Sequence, residues 1–294
     1  MTPGAEPVDA PADAARHALP RVLAAFDRAI GLEMTLRMPA PALALVPSVP
    51  AQPTPAQASF QPTRAMPPST APRADAPAPA GVPAIPASSL RAPGDRSGRA
   101  ARLAEIAARH AAGCPHCTRA AGWTNLVFGE GAPDADVMFV GEAPGEVEDR
   151  LGRPFVGPAG EKLDEMIKAM GLARDAVYVA NVLKARPPGN RPPQPDEVAR
   201  CAPFLVEQIL AVQPQAIVAL GGSAVRALLG VETGITRLRG QWLEWAPPAG
   251  AECPPIAVMP TYHPSYVLRT YTPEVRRQVW SDLRAVMARV GLGG

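Results

Sequence analysis

The chain of 294 residues contains no run of eighteen apolar residues, so no segment is expected to cross a bilayer as a helix. Its opening, MTPGAEPVDAPADAARH, lacks the basic-then-apolar order of a secretory leader, and a cytoplasmic protein is expected. Cysteine is scarce. In that compartment the four thiols, Cys114, Cys117, Cys201 and Cys253, are expected to be free or metal-bound rather than joined as disulfides. Net charge is small as well. With 29 basic and 27 acidic side chains the balance is +2, so any nucleic-acid-binding face must be local. Arginine greatly outnumbers lysine, which a GC-rich genome explains as readily as a need for bidentate contacts. Neither GxGxxG nor the GK[ST] ending of a Walker loop occurs, and no nucleotide cofactor is expected.

Proline, by contrast, is abundant: about half of the 38 prolines precede residue 100, mixed with Ala, Ser and Thr. Within residues 1–38, HALPRVLAAFDRAIGLEMTLRM has apolar residues at helical spacing and predicts one isolated amphipathic helix, either without a core to pack on or docking a protein partner. Residues 39–98 are expected to be a disordered Pro/Ala linker, because proline removes backbone donors and alanine offers little surface to bury. Residues 99–294 then form one domain.

Within that domain short apolar runs alternate with helical patterns. The strands predicted are 136–140, 176–182, 215–222 and 255–264; helices are predicted at 159–171, 195–213, 222–230 and 273–291, with another ending at Gly113. The pattern predicts an α/β fold of three layers, α/β/α, around a mostly parallel four-stranded sheet. Working groups in such sheets gather at the C-terminal ends of the strands. The four strand ends here carry GEAPG, Asn181 with KARPPGNRPP, GGS, and TYHPS.

Each rim residue has an ordinary explanation and a functional one. Gly141 and Gly145 can simply serve a turn, or can let backbone N–H groups approach a ligand. Phe155 can plug the core. Asn181 can cap a turn, or present an amide that donates and accepts toward a planar heterocycle. His263 taken alone reads as structural. Convergence on one rim changes the weighing, because a flat ring, an amide, an imidazole and a glycine loop are the parts needed to stack on a base and read its edge.

GEAPGEVEDRLGRPFVGPAG, NVLKARPPGNRPPQPDEVARC and HPSYVLR resemble the three signature blocks of the family 4, iron–sulfur type uracil-DNA glycosylases. The resemblance runs from about Gly113 to the C-terminus. It implies hydrolysis of the N-glycosidic bond of uracil in single- or double-stranded DNA by a monomer, as part of base-excision repair. Phe155 would stack on the flipped uracil, in a pocket that also includes Gly141 and Ala143. Asn181 would bond its edge at O4 and N3, and Glu148 would crowd C5 against thymine. His263 would hold negative charge at O2. Glu142 would orient or activate the attacking water, although Ala143 stands where the better-known uracil glycosylases carry an aspartate. HPSYVLR, with Ser265, Tyr266 and Arg269, would enter the minor groove. KARPPGNRPP leaves no room for the basic insertion of the covalently trapping relatives, so turnover is expected.

The resemblance also implies a [4Fe–4S] cluster on four cysteines. CPHC has metal-ligand spacing and supplies Cys114 and Cys117; Cys201 matches a third ligand. The remaining position is Ala185. Cys253 precedes the last parallel strand and is expected at its opposite end, too far to substitute. Three readings stay open: a cluster with three thiolates and an exogenous ligand, another metal, or an empty site. Arg186, Arg191, Arg269, Arg276 and Arg277 fall on or near the rim and are candidates for phosphate contacts, Arg186 and Arg191 foremost. Two competing readings are a catalytically weak DNA-binding homologue and an interaction protein acting through its tail.

Overall fold

The computed structural model describes residues 85–92, 94–114 and 122–292. The expected helix in 16–37, the linker up to 84 and Cys117 lie outside the described residues. From residue 85 onward, however, the expected linker is packed on the domain. Residues 87–90 form a short 3-10 turn, Ser89 Oγ donates to the buried Glu207 carboxylate, and Glu252 N–H donates to Leu90 O (2.6 Å). The folded region therefore starts upstream of Arg99, because Ser89 and Leu90 supply contacts that a solvated linker could not.

Helix α1 spans Arg96–Gly113, begun by Asp95, whose side chain accepts from Gly98 N–H (2.9 Å). Six strands follow: β1 (Glu130–Gly131), β2 (Val137–Gly141), β3 (Tyr178–Asn181), β4 (Ala216–Leu220), β5 (Leu243–Trp245) and β6 (Ile256–Thr261). Their order across the sheet is β1-β3-β2-β4-β6-β5. The four central strands are parallel, as the alternating pattern predicts. The expected strand count is corrected from four to six: β1 and β5 run antiparallel at the edges.

Between the strands lie α2 (Glu146–Leu151), α3 (Pro158–Ala169), α4 (Pro195–Val212), α5 (Gly222–Leu229) and α6 (Ile235–Leu238); α7 (Pro264–Arg269) and α8 (Pro273–Arg289) follow β6. Alternate strand residues face opposite layers. Met138, Val140, Ile217 and Ala219 join the core made with α1, α4 and α5, whereas Val137, Phe139, Ala216 and Val218 join that made with α3 and α8. Both faces of the central strands are thus covered, which is why they read as unbroken apolar runs. Among the described residues no helix is long and apolar enough to cross a membrane.

Candidate active site

The parallel registers set the strand ends side by side. Gly141, ending β2, pairs with Asn181, ending β3; Leu220 of β4 pairs with Thr261 of β6. Pairing continues past the first two strands, with Val182 N–H donating to Gly141 O and Leu183 N–H to Glu142 O, both at 3.0 Å. Gly141 is consequently held against the Asn181 side chain. A Cβ at this position would lie 2.4 Å from Asn181 Oδ1 and 2.4 Å from Phe155 Cζ. Only glycine fits.

Phe155 reaches this point through the turn between α2 and α3. Its φ of 49° is in the left-handed region, where a bulky side chain costs about 1–3 kcal/mol. The surrounding turn holds it there. Glu148 Oε1 accepts Val156 N–H (2.9 Å) and Gly157 N–H (2.8 Å), and α3 begins hard against the Phe155 carbonyl. The ring is 5% exposed and its centroid lies 5.7 Å from that of His263, with the planes at 35°.

Asn181 is 2% exposed, and its Oδ1 is buried without a hydrogen-bond partner among the described residues. Leaving such an acceptor unmet costs about 1–3 kcal/mol, so a native protein that keeps one calls for a ligand or water to meet it. The backbone of Asn181 is by contrast well tied. Lys184, fully buried, donates from Nζ to Asn181 O (2.6 Å) and to Gln208 Oε1 (2.5 Å), and Gln208 in turn donates to Phe128 O (2.9 Å).

His263 caps α7. Its Nδ1 accepts from Ser265 N–H at 3.1 Å and lies 2.7 Å from Ser265 Oγ. Because a backbone N–H only donates, Nδ1 carries no proton and the neutral ring is protonated at Nε2. Burial, helped by the nearby Arg269 cation and opposed by Glu148, lowers the His263 pKa to about 4. At neutral pH the ring is an uncharged N–H donor.

A cleft of about 510 Å³ opens beside these groups, lined by Glu142, Ala143, His263, Ser265, Tyr266 and Arg269 among others; Glu142 is its one acid and Arg269 its one formal cation. Phe155 and Asn181 do not line it but lie buried next to it, in contact through the Phe155–His263 pair. Two groups were not singled out from the sequence. Leu268, on α7 beside Arg269, is 40% exposed, and its signal was an apolar residue in the middle of HPSYVLR. The other is Lys184, whose position three residues after Asn181 gave no hint of its full burial.

The remaining acids of the glycine turn have structural work. Asp149 accepts Thr124 N–H (2.7 Å) and Asn125 N–H (3.1 Å), fastening that loop, and Glu146 meets Arg186 (3.3 Å). Three of the candidate phosphate contacts are engaged within the protein. Arg191 is forked onto Glu197 (2.7 and 2.6 Å), the residue that completes the capping box of α4, so its guanidinium fastens the loop to the helix. Arg276 is buried over the Tyr271 ring, and Arg277 pairs with Glu274 (2.6 Å). Arg186 is mostly covered, its Nε bonded to Asn190 Oδ1 (2.7 Å). Arg269 is the candidate that faces the cleft.

Away from the rim, Cys114 and Cys201 come together with a residue the sequence reading passed over, His110. One ligand atom from each lies within 4.8 Å of the others, and all three residues are buried. The Sγ atoms of Cys114 and Cys201 are 3.8 Å apart. Ala185 is buried in the same apolar cluster as the two cysteines, and Cys253 is bonded to Pro254 O (3.3 Å) and is not one of the grouped donors.

Polar groups gathered at the C-terminal ends of a doubly covered parallel sheet mark a ligand-binding α/β protein, and the model of the Uracil DNA glycosylase superfamily matches residues 128–284: the chain belongs to that superfamily. Within it the similarity is to the type-4 enzymes. The chain is 44% identical over 182 residues to a type-4 uracil-DNA glycosylase of Thermotoga maritima, covering 62% of this chain and 91% of that one. It is 44% identical to the type-4 enzyme of Sulfurisphaera tokodaii (55% and 74% covered) and 42% identical to that of Archaeoglobus fulgidus (59% and 86%).

Proposed function

We propose that the chain is a DNA-repair glycosylase that hydrolyses the N-glycosidic bond of uracil in DNA, releasing the base and leaving an abasic site. The observation that carries this reading is the unmet Asn181 Oδ1, buried where a stacking ring and an imidazole also converge. Uracil offers an N3–H donor and an O4 acceptor side by side, the pattern one carboxamide can meet with Oδ1 and Nδ2. Cytosine reverses that pattern at both atoms. Phe155 stacks on the extruded base, and Gly141 keeps the path to the Asn181 amide open. Glu148 holds the Phe155 turn and crowds the C5 edge, where thymine carries a methyl group.

Bond cleavage leaves a cationic sugar and a uracil anion, so the protein must hold charge at two places. His263, neutral with its proton on Nε2, donates to O2 as negative charge builds there. Glu142 is the carboxylate available in the cleft to face the sugar cation and to orient the attacking water. Tyr266, Leu268 and Arg269 on α7 meet the DNA, with Leu268 filling the space left by the base and Arg269 near a phosphate. The chain acts as a monomer on DNA in the cytoplasm.

The four-thiolate cluster implied by the resemblance does not fit the donor set, because Ala185 stands at one implied ligand position and an imidazole, His110, lies with the two sulfurs. No step above involves a metal.

Incubation of the full chain with a labelled uracil-containing oligonucleotide tests the reading. Free uracil, alkali-labile strands and no stable protein–DNA adduct are expected. Retention of uracil in the DNA despite binding would instead identify a catalytically weak homologue.

A further inference from the structure

We propose that His110, Cys114 and Cys201 supply three of the four donors to a single tetrahedral metal ion of the Zn²⁺ class, in place of an iron–sulfur cluster. The inference stands on three features of the described residues. The first is distance. Two thiolates bound at about 2.3 Å to one ion with tetrahedral angles lie about 3.8 Å apart, and the two sulfurs are separated by 3.8 Å. A four-iron cluster places each thiolate on a different iron and so holds the sulfurs farther apart.

The second feature is how His110 arrives. It precedes Cys114 by four residues, one turn of α1, so both project from the same side of the helix end toward Cys201 on α4. The imidazole is 1% exposed and is fixed edge-on against Phe204, with ring centroids 4.7 Å apart at 89°. A soft borderline cation suits this mixed sulfur and nitrogen set. The third is the departure at Ala185. Its side chain is fully buried in the core that also holds the two cysteines, and where the resemblance implies a fourth thiolate it offers only a methyl group. The site thus offers an imidazole and two thiolates, with no thiolate at position 185. Cys117, expected from the CPHC spacing, lies outside the described residues, and nothing in the inference depends on it.

Such an ion joins the C-terminal end of α1 to the first half of α4, the helix whose capping box leads out of the KARPPGNRPP loop. It acts as a structural staple rather than as a participant in chemistry.

The test is metal analysis of the full chain purified anaerobically from cells supplied with both iron and zinc. About one zinc per chain and no acid-labile sulfide are expected. Replacing the metal by Co²⁺ should give intense tetrahedral d–d bands with thiolate charge transfer. His110→Cys should keep the metal and strengthen the charge-transfer band. His110→Ala should weaken affinity by roughly tenfold or more, since loss even of an outer-sphere partner costs 10–100-fold. If His110→Ala does not fold, the wild-type Co²⁺ spectrum still decides. Iron with matching sulfide, a Cys114–Cys201 disulfide, an octahedral Co²⁺ spectrum, or metal affinity unchanged in folded His110→Ala would each overturn the proposal.

Discussion

Gly141 and Asn181 face each other at the ends of adjacent parallel strands, and a methyl group on Gly141 would lie 2.4 Å from the Asn181 carboxamide oxygen. That same methyl would strike the Phe155 ring. In the proposed reading the pair therefore sets how close a base can come to the Asn181 amide. Gly141→Ala is expected to cost about 1–3 kcal/mol of stability by overpacking, and to lower uracil excision at least tenfold by displacing both groups. Denaturant unfolding and single-turnover rates on the same preparation measure the two effects.

Acid should leave the histidine neutral well below its ordinary range. With a His263 pKa of about 4 against the ordinary value near 6.5, the unfolded chain takes up this proton first. The His263 contribution therefore lowers folding stability as pH falls from about 6.5 to about 4. NMR titration of the free enzyme should find the imidazole uncharged at pH 5.5, and Arg269→Gln should shift its pKa upward by removing the neighbouring cation. A midpoint near 6.5 in the wild type would contradict the burial that keeps the ring uncharged.

Lys184 is expected to act as a positioning residue, through its bond to Asn181 O. Lys184→Met leaves Asn181 O and Gln208 Oε1 without the donor they share, an expected loss of about 1–3 kcal/mol. The effect should fall on kcat for uracil excision more than on DNA affinity, since the lysine reaches the base through Asn181. A folded variant that binds DNA weakly but cleaves at the wild-type rate would speak for a purely structural lysine.

How much of this was legible in the sequence follows from burial and chain distance. The four central strands were plain because both faces are covered, which leaves the unbroken runs VMFV and AIVAL. The edge strands were not. Glu130–Gly131 and Leu243–Trp245 are two and three residues long and owe their conformation to pairing with a neighbour. Gly141, Phe155, Asn181 and His263 stood out because strand ends of a parallel sheet share a rim. His110 did not, since in AARHAAG it looks like any helix histidine until α4 is folded against it. For Arg191 the flanking prolines suggested a fixed phosphate contact but gave no sign of its pairing with the Glu197 carboxylate six residues on.

Leu268 is expected to matter on duplex and not on single-stranded substrate. A wedge that fills the vacated space matters only where a stacked partner strand must be held open. Leu268→Ala should therefore slow excision from duplex DNA roughly tenfold while changing the single-stranded rate little. The ratio of single-turnover rates on the two substrates is the quantity to compare.

The central claim is that one carboxamide, oriented by its strand neighbour, recognises the extruded base. Single-turnover excision of uracil by wild type and Asn181→Ala tests it most directly. Loss of such a stabilising group costs about 3 kcal/mol, and a reduction of roughly a hundredfold or more is expected in a variant that still folds and binds DNA. Equal rates for the two proteins would contradict it.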